Sequence, residues 1–249
     1  MRLLNPMHSG WLLAMVFCGE ALAAPITKTA TVNVYQVCND AGLDCASLGP
    51  AGNFYFANET SKIWSQAGIS VSFDFAGTIN STLYINIDDT VLGQGFADLH
   101  SDYGTKGPSS TAIDMFLVRT INWAYGEAWL GFGGFVIAMD SVMAFNGGIG
   151  RLDTIAHELG HNLGLPHFAS PDQLMASGGI RNVPASLADI NPDGLKLDKI
   201  TPQQAATARA SSLLRDVTAT PEPVSMALTG AGILALVIIR RRAFNACRS

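Results

Sequence analysis

The stretch His157-Glu158-Leu159-Gly160-His161-Asn162-Leu163-Gly164-Leu165-Pro166-His167 decides how this chain of 249 residues is read. Leu152, Ile155, Ala156, Leu159 and Leu163 recur at helical spacing, which predicts a helix over Leu152–Leu163. His157 and His161 are four apart and so share one face, one turn from each other. That spacing suits two corners of a tetrahedral zinc site. Glu158 stands beside them, where its carboxylate can reach a water on the ion. Gly164 can adopt positive φ and end the helix, so that the chain turns back and His167 offers a third ligand. Three protein ligands leave a fourth position for water, the mark of a catalytic zinc and not of a structural one. Of five histidines in the chain, three fall within these eleven residues.

Outward from the motif, the pattern mixes strands and helices. Thr29–Val37 alternates as a strand, and Phe54–Ala67 reads as a helix stopped by Gly68. Ile69–Phe75 alternates again, with Ile69, Val71, Phe73 and Phe75 expected on one face. Leu83–Ile87 is a short strand candidate, and the polar, glycine-bearing Gly93–Ser110 reads as a long surface loop. Ile113–Ile121 is continuously apolar, as a central strand is. Trp129–Ile137 is apolar but broken by Gly131, Gly133 and Gly134, which predicts an edge strand or bulge that another backbone approaches. Thr201, Pro202 and Gln204 form the start signal of a last helix running to about Leu214. The expected fold class is α/β (α+β), a twisted mixed sheet with an active-site helix and a C-terminal helix.

The two ends account for much of the 48% hydrophobic content and the low 14% charge. Residues 1–23 read as a secretory signal: Arg2 and His8, an apolar Trp11–Phe17, then Ala21-Leu22-Ala23 for cleavage. A retained N-terminal anchor is the alternative. Near the other end, Pro221-Glu222-Pro223 precedes the apolar residues 224–239 and then Arg240-Arg241-Arg242. Sixteen helical residues span about 24 Å, slightly short of a bilayer core of about 30 Å, and the arginines extend the reach while holding that end in the cytoplasm. Between the ends no run approaches the length of a spanning helix, which excludes a polytopic membrane protein; abundant aromatic and β-branched residues exclude disorder. Residues 25–220 carry 10 basic and 18 acidic side chains, a net of −8, which argues against nucleic acid as a partner. Cys38 and Cys45 suit a small disulfide-closed loop in an oxidising compartment, and their C-x₆-C spacing without a nearby histidine makes a poor zinc site.

The order Pro-Glu-Pro, short helix, arginine cluster resembles the PEP-CTERM sorting signal of Gram-negative bacteria, a plain single-helix anchor being the alternative. The resemblance implies an exosortase-type sorting enzyme as partner, transient contact with the inner membrane, and a product in the cell envelope, on the surface or outside. The organisation that follows is a signal peptide 1–23, a catalytic domain 24–217 and a sorting segment 218–249.

The motif around His157 resembles the metzincin zinc peptidases, in which a downstream methionine forms a turn beneath the metal. Met175 is the candidate, eight residues after His167, the spacing of the matrixin branch. Taken alone, Met175 would more often be core packing; its position after this motif reverses that. The helix, strand, strand, glycine-broken strand and active-site helix upstream also look like a matrixin catalytic domain. The chain departs from that branch in three ways. Its structural zinc needs three histidines and an aspartate, and once the signal segment with His8 is set aside only His100 remains outside the motif, reading as an ordinary loop histidine. No aromatic residue closely follows Met175. The interval from Ala23 to Thr29 leaves no room for a long propeptide, and Cys38 as a latency thiol competes with the disulfide.

The resemblance implies an exported zinc endopeptidase acting on a protein or peptide. His157, His161 and His167 would hold Zn²⁺, Glu158 would be the general base toward a zinc-activated water, and substrate would lie extended along Trp129, Gly131, Gly133 and Gly134. The alternatives are a non-catalytic, metal-stabilised surface or biofilm-matrix protein and a metallohydrolase of non-peptide substrates. Asp189-x-Asn191-x-Asp193-Gly194 resembles the start of a Ca²⁺ loop, but its twelfth position is Ile200 and not a bidentate acid, so a polar turn before the last helix is the better reading.

Overall fold

The computed structural model describes residues 24–88, 93–105, 111–193 and 197–217. The signal reading (1–23) and the sorting reading (218–249, with its apolar 224–239) lie outside them. Among the described residues no helix is long and apolar enough to cross a membrane.

The chain opens with β1 (Lys28–Cys38), a short 3₁₀ turn at Phe54–Phe56, α1 (Ala57–Ser65) and β2 (Ile69–Asn80). There follow β3 (Asn86–Ile87), α2 (Gln94–Tyr103), β4 (Ala112–Val118), β5 (Thr120–Ile121), β6 (Gly126–Ala128) and β7 (Gly134–Ala138). The last elements are α3 (Met139–Gly148), α4 (Thr154–Asn162), α5 (Pro202–Arg209) and β8 (Arg215–Asp216). The main sheet runs β2-β1-β4-β7-β6, with β8 also pairing to β1, while β3 and β5 form a separate two-stranded sheet. β2, β1, β4 and β7 are mutually parallel; β6 joins β7 antiparallel. The fold is a mixed α/β one with a mostly parallel sheet, as its strand and helix pattern predicts.

Helices cover both faces of that sheet, which is why its central strands are apolar without alternation. From β4, Ile113, Met115 and Leu117 face the larger core, with Val32 and Val34 of β1, Phe135 and Ile137 of β7, Ile63 and Trp64 of α1, and Ile155 and Leu159 of α4. Phe116 and Val118 face the second core, with Val136, Phe96 and Leu99. Trp64 ties α1 to α4, its indole N–H donating to the Ala156 carbonyl at 3.2 Å.

Four expectations change. Gly93–Ser110 is not all loop, since Gln94–Tyr103 is the helix α2. Only Phe96 and Leu99 of its ten residues are buried, so the periodic signal is too sparse to see, yet those two side chains seal the sheet's second face. His100 is therefore a helical residue, its ring packed 4.6 Å from that of Phe132. Phe75 is exposed although it stays in register with Val34 of β1; the register shifts only after it, where Tyr35 pairs with Gly77. Trp129–Ile137 is not the sheet edge: β7 lies inside, hydrogen-bonded to β4 and β6, and the edge falls on β6. Finally, α5 ends at Arg209, short of Leu214, where the Arg209 guanidinium donates to the Ala67 carbonyl and Thr27 Oγ1. The capping box at its start is present, Thr201 Oγ1 accepting from the Gln204 N–H at 3.2 Å and Gln204 Oε1 from the Thr201 N–H at 2.9 Å. Cys38 and Cys45 form a disulfide.

Candidate metal centre

α4 lies across β6 and β7 and carries two of the three histidines. Its end follows the glycine signal. Gly164 sits at φ 89°, its N–H donates to the His161 carbonyl at 2.9 Å, and the Leu165 N–H reaches the Gly160 carbonyl at 2.9 Å. Those two bonds are the Schellman pattern, which satisfies the last carbonyls of the helix and reverses the chain. Three residues later His167 faces the other two rings.

The imidazoles are oriented from behind. His157 Nδ1–H donates to the Leu174 carbonyl at 2.7 Å and His161 Nδ1–H to the Leu165 carbonyl at 2.8 Å. Those bonds leave both Nε2 atoms as lone-pair donors pointing inward. Each lies 3.2 Å from His167 Nε2. Two nitrogens bound at 2.0–2.1 Å to one tetrahedral ion are about 3.3 Å apart, so the spacing fits a shared cation. Among the described residues this is the one group of three His, Cys, Asp or Glu side chains placed to hold a metal. Burial pushes all three histidines below their ordinary range, most of all His157, and so keeps them neutral and ready to ligate.

Met175 is fully buried beneath the helix. A Cβ on Gly160 would collide with its Sδ, so the glycine lets Met175 come up under the helix that carries His157 and His161. The same turn supplies the Leu174 carbonyl that orients His157.

Glu158 is buried and lies against β6, where a Cβ on Gly126 would come within 2.8 Å of Glu158 Cγ. Burial pushes its carboxyl up to about 8 from the ordinary 4.5 in the metal-free chain, opposed by the Arg181 guanidinium. A carboxyl raised on folding adds stability that is complete below its unfolded value and is lost as pH climbs through the folded one. Metal-free Glu158→Gln has no such proton to lose. Calorimetry is expected to find it melting above the metal-free parent at about pH 9, with the gap closing by about pH 4. A gap of constant size contradicts the buried carboxyl.

A cleft of about 500 Å³ opens over this group, lined by His157, Glu158 and His167 and walled by Trp123–Gly126, Arg151, Gly178, Gly179 and Arg181. Sequence reasoning missed Gly126, Arg151, Arg181 and Asp153. Nothing in their local pattern sets them apart, because they meet only through the fold. The expected edge residues sit elsewhere. The Gly131 N–H donates to the His161 carbonyl at 2.9 Å, Trp129 packs 4.9 Å from Phe96, Gly133 precedes β7, and Gly134 is paired inside the sheet. This segment clamps the end of α4. Among the described residues the calcium reading finds no gathering of ligands: Asp189 accepts from the Ala185 N–H, Asn191 donates to Gln66, and Asp193 pairs with Lys62 at 2.7 Å.

No protein-family model matches this chain, and no curated protein matches it. Among solved structures, it is similar to a chain in a chaperone–substrate complex (15% identity, TM-score 0.45, 76% of this chain and 35% of that one). It is also similar to archaemetzincin from Methanopyrus kandleri (13% identity, TM-score 0.45, 74% of this chain and 95% of that one). A third is metalloproteinase-II from Bacteroides fragilis (13% identity, TM-score 0.44, 75% of this chain and 54% of that one). This chain thus spans about a third of the first structure's length. At these identities the likeness is one of chain path and not of residues.

Proposed function

We propose that this chain is a zinc-dependent endopeptidase of metzincin type, close to the matrixin branch. The observation that carries the reading is the convergence of three neutral imidazole Nε2 atoms, two of them held by Nδ1–H bonds to carbonyls, beside a buried carboxylate facing the same cleft. Three imidazoles suit zinc, and zinc, when bound, supplies Lewis acidity toward a carbonyl and toward water. Glu158 takes a proton from the attacking water and delivers it to the leaving amine. A peptide lies extended along β6, whose outer edge is the exposed rim of the sheet on this side, and uses its main-chain groups for binding. Gly126 keeps that rim within reach of Glu158.

The two terminal segments supply the address. The signal-like 1–23 routes the chain across the inner membrane of a Gram-negative bacterium, and the Pro-Glu-Pro tail presents it to an exosortase-type enzyme. The envelope, the cell surface or the exterior is then its place of work, on a protein or peptide.

The test is hydrolysis of casein by the purified full-length chain, as isolated, after chelation and after zinc is restored. Clearing that is lost on chelation and regained with zinc is expected. A zinc-loaded, folded chain that clears no protein substrate overturns the reading and points to the metal-stabilised surface protein instead.

A further inference from the structure

The turn that leads into β6 holds a residue ill suited to it. Ile121 and Ala124 pair across this turn, which leaves Asn122 and Trp123 as its two central residues. Trp123 takes φ 67°. Turns ordinarily give that left-handed position to Gly or Asn, and a large aromatic residue is strained there. Packing does not offset the strain. The Trp123 side chain is 101% exposed, the highest value of any large apolar residue among the described ones. A strained backbone and an unpacked indole at one position point to a contact with something outside the fold.

Its place on the molecule narrows what that contact is. Trp123, Ala124 and Tyr125 line the cleft over His157 and Glu158 and also a second hollow of about 400 Å³, so the two spaces adjoin along this segment. Ile121 is the one buried residue of the second hollow, and α3 supplies Ser141, Ala144 and Phe145. Phe145 meets Tyr125 edge to face, the ring centres 5.7 Å apart. Of the described residues that line this hollow, none is charged. Such a lining suits an aromatic or branched aliphatic side chain. The distance to the metal centre is also set. Trp123 stands three residues before Gly126, which abuts Glu158, and three residues span at most about 10 Å. An extended peptide advances about 3.3 Å per residue, so the side chain that reaches Trp123 is two or three residues from the bond facing Glu158.

We propose that Trp123 and the hollow beside it form a subsite for an aromatic or large aliphatic side chain of the peptide, two or three residues from the scissile bond and on one side of it. The substrate wording rests on the endopeptidase reading; the apolar subsite itself rests on the strained, exposed tryptophan and the uncharged hollow that adjoins the cleft. A small side chain in the same register leaves the indole in water, and an acidic one loses its hydration without gaining a partner, so both are disfavoured.

The experiment uses the zinc-loaded full chain and short peptides of Ala, Ser and Gly, blocked at both ends, that differ only in carrying Phe, Leu, Glu or Ala at one central position. Calorimetry on the Glu158→Gln chain, which holds peptides without cutting them, is expected to find the Phe and Leu peptides bound about 10- to 100-fold more tightly than the Ala and Glu ones. Adding Trp123→Ala should erase that preference, and Trp123→Phe should keep part of it. Trp123→Gly suits the positive φ and should melt no lower than the parent, which separates lost binding from lost folding. With Glu158 intact, mass spectrometry should place the cut two or three residues from the Phe, always on the same side, and Trp123→Ala should scatter it. Equal affinities for the Phe and Ala peptides, a preference untouched by Trp123→Ala, cuts directly beside the Phe, or a Trp123→Gly chain that melts lower would each overturn the proposal. Cleavage without apolar preference defeats only this inference, whereas Trp123-dependent binding without any cleavage defeats only the endopeptidase reading.

Discussion

Glu158→Gln is expected to leave one zinc ion bound per chain while lowering kcat/KM for peptide hydrolysis by at least about 10²- to 10⁴-fold, the usual contribution of a positioned general base. The substitution is nearly isosteric, which matters because Glu158 is only 6% exposed and abuts Gly126 on β6. A glutamine fills the same space and keeps an acceptor oxygen, but its amide cannot take up the proton of an attacking water. Neither His157 nor His161 depends on Glu158 for orientation, since they are held by the Leu174 and Leu165 carbonyls. Metal content by elemental analysis and kcat/KM on a quenched fluorescent peptide are read on the same preparation. Loss of both metal and activity would make Glu158 a structural support of the site. Retained hydrolysis by protein free of contaminating protease would remove it from the mechanism.

Asp153→Ala is expected to cost about 3–5 kcal/mol of stability, the range for removing one partner of a buried ion pair. Asp153 is fully buried between two guanidiniums, at 2.8 Å from Arg181 and 3.8 Å from Arg151. Although it precedes the first turn of α4, its side chain caps no helix N–H and is committed to these cations. Asp198 lies against it and is pushed well above the usual carboxylate range by burial and by the Asp153 charge. Removing Asp153 removes that second cause, so Asp198 can ionise and compensate in part. The double variant Asp153→Ala, Asp198→Ala should therefore melt below the single one. For a domain of this size the single change corresponds to a fall in Tm of about 10 °C. Arg181 also donates to the Leu174 carbonyl that orients His157, so zinc affinity should fall about 10-fold or more, as when a partner behind a ligand is lost. A variant with unchanged Tm and unchanged zinc affinity would show that neither arginine depends on Asp153.

Long periodic segments were legible in the sequence because their own side chains carry the signal. β1, β2, β4 and α4 follow runs of apolar residues at period two, in continuous stretches or at helical spacing. The start of α5 was legible because its capping residues bond to their own backbone within three positions. α2 was not, because Phe96 and Leu99 become a helical face only against Phe116 and Val136. Edge and interior exchanged places for a similar reason. β6 is three residues long, too short to announce itself, and it supplies the edge expected of the glycine-broken segment after it.

The candidate site divides along the same line. His157, His161, His167, Glu158 and Gly164 lie within eleven residues, so helix pitch and one glycine turn largely dictate their convergence, and the sequence alone determined them. Met175 was legible as a position at a given spacing, though only the structure places its sulfur beneath Gly160. The tertiary structure decided what surrounds the three histidines. Arg151 and Asp153 come from just before α4, and Arg181 and Asp198 from two later loops, and burial makes their charges act on one another. Three histidines, two on one helix turn and one beyond a glycine turn, are brought together by local geometry. A buried charge network is encoded by packing, because the low dielectric that gives those charges their strength exists only once the chain has folded around them.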